Sequence, residues 1–231
     1  MQVAAETLSV VGVFQGLDIR ERQQLARSMR IRKFGPRQVV VAHDDPSTDV
    51  YFVVSGHLRA TLFSGAGKEV SFQDIGAGEM FGELSAIDGQ PRSTHVVTLS
   101  ESLIAWMGRD AFWSALLSYP QVTAFTLKRL TGLVRRHSER IFEYGTLGVK
   151  NRIHAELLRM ARGVSTDGRE VEIPDPPTHA EIASRVATHR EAVTRECRQL
   201  EELGLIEWHP GRHVIKDVER LERMVKEVRG H

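Results

Sequence analysis

The spacing of apolar positions changes several times along the chain, and each change marks a boundary. Between Leu8 and Ile31, apolar anchors at Phe14, Leu17, Leu25 and Met29 predict a helix that serves packing, with residues 18–21 as its first turn. From Phe34 to Met107 the pattern shortens to β-rich runs punctuated by glycine, at 39–41, 50–54, 58–62, 70–72, 96–99 and 103–106. Short strands at this spacing suggest a roll or sandwich of antiparallel hairpins. A new helix is announced at Pro120, because proline is favoured at the first helical position. Along it Leu127, Leu130, Val134, His137, Ile141 and Tyr144 alternate at steps of three and four, which is a heptad seam. Such a helix pairs with a copy of itself, so a parallel homodimer is expected, with His137 as the polar member that fixes register.

Beyond Gly145 and Gly148, which loosen the chain, Ile153, Leu157, Leu158 and Met160 predict an amphipathic helix over 151–162. The stretch GVSTDGREVEIP reads as a polar hairpin closing in a bend at Pro174, Pro176 and Pro177. Thr178 with Glu181 three residues on is a capping box, which starts a short helix running to Val186. Ala187 supplies the small residue of a tight turn. Thr188 is expected to cap a second helix that carries Val193, Cys197, Leu200 and Leu203 inward. Two short helices joined this way form a helix-turn-helix, whose second helix enters the major groove of DNA. The following GLIEWHPGRHVIKD reads as a two-stranded wing turning at Pro210 and Gly211, and Val218 to Val228 as a small exposed helix.

Composition narrows the class. At 231 residues the chain suits two modest domains, and 41% apolar with 26% charged content is ordinary for a globular protein. No apolar run is long enough to span a membrane and the first residues lack a signal core, so a cytoplasmic protein is expected. The single thiol, Cys197, excludes an intrachain disulfide, a four-thiolate iron–sulfur cluster and a zinc ribbon, and reads as a buried core residue. No metal is expected. Net charge is +1, and from Val149 onward fifteen Lys and Arg face fifteen Asp and Glu. Any DNA contact must therefore come from a local patch. The GxGxxxG of Gly76, Gly78 and Gly82 misses the dinucleotide fingerprint by one residue and reads as turn glycines. No Ser/His/Asp set, HExxH or GxxxxGK[ST] loop is apparent, so an enzyme is not expected.

The chemistry concentrates in residues 81–97, FGELSAIDGQPRSTHVV. Gly82 lets backbone approach a ligand, and the short helix from Glu83 offers free N–H groups to an anion. Arg92 adds a planar, permanently charged fork that takes two phosphate oxygens, with the Ser93 hydroxyl beside it. This run of glycine, acid, small residue, Pro-Arg and hydroxyl resembles the phosphate-binding cassette of cyclic-nucleotide-binding domains. The resemblance covers most of the chain and is to the cyclic AMP receptor protein family of transcription regulators (the CRP/FNR superfamily).

The resemblance implies an α+β architecture. It comprises an antiparallel, jelly-roll-like β-roll that binds cyclic nucleotide (1–118), a dimerisation helix and hinge (119–147), and a winged helix-turn-helix domain (148–231). In the cassette, spanning Gly82, Glu83, Leu84, Ser85, Arg92, Ser93 and Thr94, Glu83 would accept from the ribose 2′-hydroxyl. Arg92 and Ser93 would hold the cyclic phosphate, and Ser85 would offer its backbone N–H to it. His137 and Ser138 align with two polar residues that reach the base, one from each subunit; His137 departs from the usual threonine and would serve adenine or guanine equally. Where the family commonly has a glycine in a tight turn, this chain has Asp44 and Asp45, and a different turn type is expected. On the second helix, Arg190, Glu191 and Arg195 resemble the set that reads a GTGA half-site. His189 and Arg198 would serve phosphates, and Thr188 and His179 complete the candidate DNA-facing residues. The implied partners are double-stranded DNA, a second copy of the chain and RNA polymerase, with cyclic AMP as effector. A response to cyclic GMP or to both nucleotides, and a haem-based gas sensor, are the alternatives.

Overall fold

The computed structural model describes residues 3–65, 67, 69–165, 169–174, 176–209 and 211–230, and the chain forms two compact units, Met1–Val134 and Arg135–His231. In the first unit, two 3-10 turns (Thr7–Val10 and Gly12–Phe14) lead to α1 (Ile19–Ala26), which Asp18 opens with a reciprocal capping box to Glu21. The chain then leaves the helix earlier than its apolar spacing suggests. Met29–Phe34 is a strand, β1, in which Met29 and Ile31 are buried and Arg30 and Arg32 exposed. The expected helix through Ile31 is thus corrected: the i, i+4 spacing of Leu25 and Met29 ends where alternation begins, and the strand pairs with Ser102–Met107 (β8).

The remaining strands are β2 (Val39–Val41), β3 (Val50–Ser55), β4 (Leu58–Phe63), β5 (Glu69–Ile75), β6 (Met80–Phe81) and β7 (His95–Thr98). They build two antiparallel four-stranded sheets, ordered β1-β8-β3-β6 and β2-β7-β4-β5. Val53, Leu58, Ile75, Phe81, Val96 and Ile104 form one core cluster, and Phe14 packs on Phe52 with ring centroids 4.8 Å apart in a second. The short α2 (Glu83–Asp88) follows β6, and α3 (Arg109–Ser118), which the hydrophobic pattern does not disclose, buries Phe112 and Ala115. The long α4 (Pro120–Thr146) starts at the expected proline.

The second unit holds the end of α4, α5 (Val149–Val164), β9 (Val171–Pro174), α6 (His179–Arg185), α7 (Arg190–Glu202), β10 (Ile206–His209), β11 (Arg212–Ile215) and α8 (Val218–Arg229). Its core gathers Ile153, Leu157, Ile182, Val193, Cys197 and Leu200. Several expectations are corrected here. Among the described residues the segment before α6 does not pair with itself: α5 runs to Val164 and β9 pairs with β11, so the expected β10–β11 wing gains a third strand in a sheet ordered β10-β11-β9. Residues 166–168 of that segment, Asp175 in its bend and Pro210 in the wing turn lie outside the described residues; Gly211 takes φ 76°. The cap of α7 is His189 rather than Thr188, and it makes no side-chain cap bond. Leu203 is 48% exposed, because it follows the helix end and no longer keeps the inward stripe. α8 is docked, burying Leu221 and Val225 in the core.

Ala187, between α6 and α7, holds φ 52°. A side chain in left-handed backbone costs about 1–2 kcal/mol, so the turn is imposed by its surroundings.

Candidate functional site

The cassette is built around a sharp approach. Gly82, at φ 82°, ends β6 and opens α2; a Cβ there would lie 2.7 Å from Arg92 Nη1 and 2.8 Å from the Asp49 carbonyl. Only glycine fits. Arg92 is 2% exposed and donates Nε to Ser47 Oγ (3.1 Å), Nη1 to the Gly82 carbonyl (3.0 Å) and Nη2 to the Asp49 carbonyl (2.8 Å). Its backbone is fixed as well, since Arg92 N donates to Asp45 O and Asp44 N to Arg92 O, both at 2.9 Å. Asp44 holds φ 63°, so an aspartate occupies the left-handed backbone that glycine adopts freely.

Among the described residues no carboxylate pairs with Arg92. Burial pushes its pKa down, against the opposing pull of the Tyr51 phenol and the carboxylates of Asp49, Asp45 and Glu83. The guanidinium carbon lies 5.6 Å over the Tyr51 ring, which itself stacks on Phe81 at 4.9 Å. Three of the five guanidinium N–H groups are used, which leaves two for an anion's oxygens. The first N–H groups of α2 have no intrahelical acceptor and lie next in chain to Gly82. Glu83 and Ser85 are buried, Thr94 is half-buried, and Leu84 and Ser93 are exposed, the Ser93 hydroxyl having no protein partner among the described residues.

Three residues of this site escape the sequence reading. Arg129, on α4, donates Nε to Glu83 Oε1 (3.3 Å) and Nη1 to Glu79 Oε1 (3.2 Å). Its signal was only a basic side chain off the heptad seam. Tyr51 and the Asp49 carbonyl were equally silent, because nothing local links them to a residue some forty positions away.

On α4 the seam splits by exposure. Leu127, Val134 and Ile141, spaced by sevens, are 59%, 64% and 70% exposed, while Leu130, His137 and Tyr144 are half-buried. Tyr144 departs from a pure seam role, since its hydroxyl donates to Arg185 O within its own chain at 2.8 Å. His137, in the second unit, has its pKa lowered by burial and by Arg136 and Arg140, so it is neutral near pH 7 and offers one donor and one acceptor. Ser138 is exposed.

The charge balance of the second unit hides a local asymmetry. Glu196 meets His154 Nε2 (2.6 Å) and Lys150 (3.6 Å), Glu156 meets three arginines, and Glu172, Glu207, Asp217 and Glu222 all have basic partners. On the outer side of α7, Arg190, Glu191, Arg195 and Arg198 are exposed, and none forms an ion pair among the described residues. Three arginines stand against two glutamates, Glu191 and Glu202, on this side, a slight local basic excess whose arginines cluster toward the start and middle of α7. Thr194, absent from the sequence reading, lines the same side and meets His179 Nδ1 at 2.9 Å, which ties the start of α6 to α7. His179 also lies edge-on to Trp208 at 4.9 Å, and burial, with Arg190 nearby, lowers its pKa. Thr188 is half-buried and His189 exposed at the start of α7. Among the described residues no group of three or more His, Cys, Asp or Glu is placed to hold a metal ion, and no helix is long and apolar enough to cross a membrane.

Residues 31–119 match the model of the cyclic nucleotide-binding domain, and residues 151–224 that of the Crp-like helix-turn-helix domain. The chain is 28% identical, over 96% of its length and 99% of the relative's, to the CRP-like cAMP-activated global transcriptional regulator of Mycobacterium tuberculosis. It is likewise 28% identical to the cyclic AMP receptor protein of Thermus thermophilus, over 92% of this chain and 95% of the relative. In fold it is similar to a CooA mutant from Carboxydothermus hydrogenoformans (TM-score 0.81, 16% identity, 94% of this chain and 95% of that one). It is also similar to FixK2 from Bradyrhizobium japonicum (0.74, 19%, 85% and 96%).

Proposed function

Because the chain belongs to the CRP/FNR superfamily of transcription regulators, with a cyclic nucleotide-binding domain and a Crp-like helix-turn-helix domain, we propose that it is a homodimeric switch driven by cyclic AMP that binds a palindromic TGTGA-type site. The observation that carries the reading is Arg92: a buried guanidinium that, among the described residues, has no carboxylate partner and two N–H groups outside its three hydrogen bonds, beside the N-terminus of α2. A permanent charge in that state favours an anion with two acceptor oxygens in one plane. Glu83, steadied by Arg129, accepts from the ribose hydroxyl, and Ser85 N–H and Ser93 complete the phosphate cradle. His137 and Ser138 meet the base.

The exposed Leu127, Val134 and Ile141 pair with the same residues of a second copy. Nucleotide shifts the balance between two arrangements of the paired helices only through unequal affinity for them. In the active arrangement the two α7 helices lie roughly 34 Å apart and enter successive major grooves. There Arg190 and Arg195 take guanine O6 and N7, Glu191 accepts from cytosine N4, His189 and Arg198 serve phosphates, and Thr188 and His179 lie on the DNA-facing side. The protein acts in the cytoplasm and contacts RNA polymerase.

The test is fluorescence anisotropy on a palindromic TGTGA-type duplex with no nucleotide, cyclic AMP or cyclic GMP, for wild type and Arg92→Ala. Tight binding with cyclic AMP alone, lost in the variant, is the expected result. A tight complex with cyclic GMP instead would reassign the effector, and indifference to both would refute the switch.

A further inference from the structure

The last carbonyls of any α-helix have no partner within it, and at the end of α6 they stand directly before the turn that leads into α7. Here side chains from two other helices take them. Arg140 Nη1 donates to Arg185 O at 2.5 Å, and the Tyr144 hydroxyl donates to the same oxygen at 2.8 Å. Arg152 Nε donates to Val186 O at 3.0 Å, while its Nη1 holds Leu147 O, past the end of α4, at 3.1 Å. The Arg152 guanidinium also lies 5.7 Å over the Tyr144 ring. We propose that Arg140 and Tyr144 of α4, with Arg152 of α5, are positioning residues for DNA reading: they grip the end of α6 and so set the direction in which α7 leaves the turn.

Three observations support this. The turn runs through Ala187 in left-handed backbone, which an alanine does not choose unaided, so it is held from outside. Arg140 is itself braced, because its Nη2 pairs at 3.3 Å with Glu156, a buried carboxylate also held by Arg159 and Arg185. Finally, His137, Arg140 and Tyr144 are spaced by three and four and share one stripe of α4. A rotation or slide of that stripe moves the donors on Arg185 O with it. Resting on the proposed contact of His137 and Ser138 with the nucleotide base, the latch makes the coupling path short: less than one helical turn separates His137 from Arg140.

The test uses the full chain as Tyr144→Phe, Arg140→Gln and Arg140→Lys. Tyr144→Phe removes one hydroxyl and leaves the ring in place, so it is the variant least exposed to misfolding; melting temperature controls for the others. Hydrogen exchange is read at the amides of residues 187–193, affinity for cyclic AMP by direct titration, and affinity for the duplex with and without cyclic AMP. Expected are faster exchange at 187–193, nucleotide affinity within about twofold of wild type, and a fall of about tenfold in the ratio of duplex affinities with and without nucleotide. Arg140→Lys keeps the charge but not the fork and is expected to behave as Arg140→Gln. Wild-type exchange together with a wild-type ratio in both Tyr144→Phe and Arg140→Gln overturns the latch. Should the wild type ignore nucleotide, the switch fails and the exchange arm still decides: faster exchange upholds the grip, unchanged exchange overturns it.

Discussion

Arg92 and Glu143 are equally hidden from water, at 2% and 1% exposure, and their surroundings differ in kind. Glu143, near the end of α4 in the second unit, receives both terminal nitrogens of Arg159, at 2.7 and 3.1 Å, and a further bond from Arg229. Its neighbour Glu156 is held by Arg159, Arg140 and Arg185. Arg92, in the first unit, donates to two carbonyls and a hydroxyl and lies over the Tyr51 ring, with no paired carboxylate among the described residues. A buried charge whose counter-charges come from the same chain is finished structure. One bonded directly only to neutral dipoles among the described residues, with carboxylates near but not paired, is a site with its counter-ion still to come. Burial alone does not separate scaffold from binding site; the completeness of pairing does.

The sharpest way to break this contrast is to neutralise each centre and ask what is lost. Glu143→Gln leaves Arg159 and Arg229 short of a buried partner and is expected to cost about 3–5 kcal/mol of stability, read by urea denaturation. Arg92→Met replaces a poorly compensated charge with an apolar chain of similar reach. Its expected stability change is within about 1 kcal/mol, while affinity for cyclic AMP falls on the order of 100-fold, or about 2.7 kcal/mol, by calorimetric titration. A large stability loss with intact nucleotide affinity would reverse the assignment of the two centres.

A third environment extends the comparison. Arg190 and Glu191 are exposed and outside any ion pair among the described residues, so Arg190→Ala or Glu191→Ala should leave stability unchanged within about 0.5 kcal/mol. Discrimination between the specific and a scrambled duplex should fall by about 1–3 kcal/mol per half-site contact. The same loss on both duplexes would demote these residues to phosphate contacts.

The smallest effect is in pH. Burial alone would raise the Glu156 carboxyl, but Arg159, Arg140 and Arg185 outweigh it and hold it below its ordinary 4.5. Its contribution to stability is therefore present above pH 4.5 and lost as pH falls through the depressed folded value. His154 is lowered from 6.5, by burial first and against the pull of Glu196, so its contribution is present above pH 6.5 and fades on acidification. His154→Gln should flatten the upper part of the acid-denaturation curve of the second unit, whereas Arg92, charged throughout, should add no slope.

Much of the fold was legible because period and punctuation are local. Six of the first unit's strands, β2 to β5, β7 and β8, the proline start of α4 and the capping box of α6 needed no tertiary information. β1 was missed because Leu25 and Met29 continue a helical spacing into it, although its alternating Arg30 and Arg32 carry the strand period that pairing with β8 realises. β6, two residues long, is below any periodic signal. In the site, Gly82, Glu83 and Arg92 share one short stretch and could be read together, whereas Arg129 lies 46 residues from Glu83 and Tyr144 lies 41 from Arg185. Periodicity tells which face such a residue occupies and says nothing of what waits there.

The placement of Cys197 has a practical use. The chain's sole thiol is 1% exposed, and burial, with Glu196 and Glu201 nearby, pushes its pKa up to about 12. A thiol that stays protonated and out of reach does not take up maleimides at neutral pH. The natural sequence is thus a ready background for spin or fluorescence labels: one new cysteine at Glu139 or Arg198 carries a probe without removing the old one.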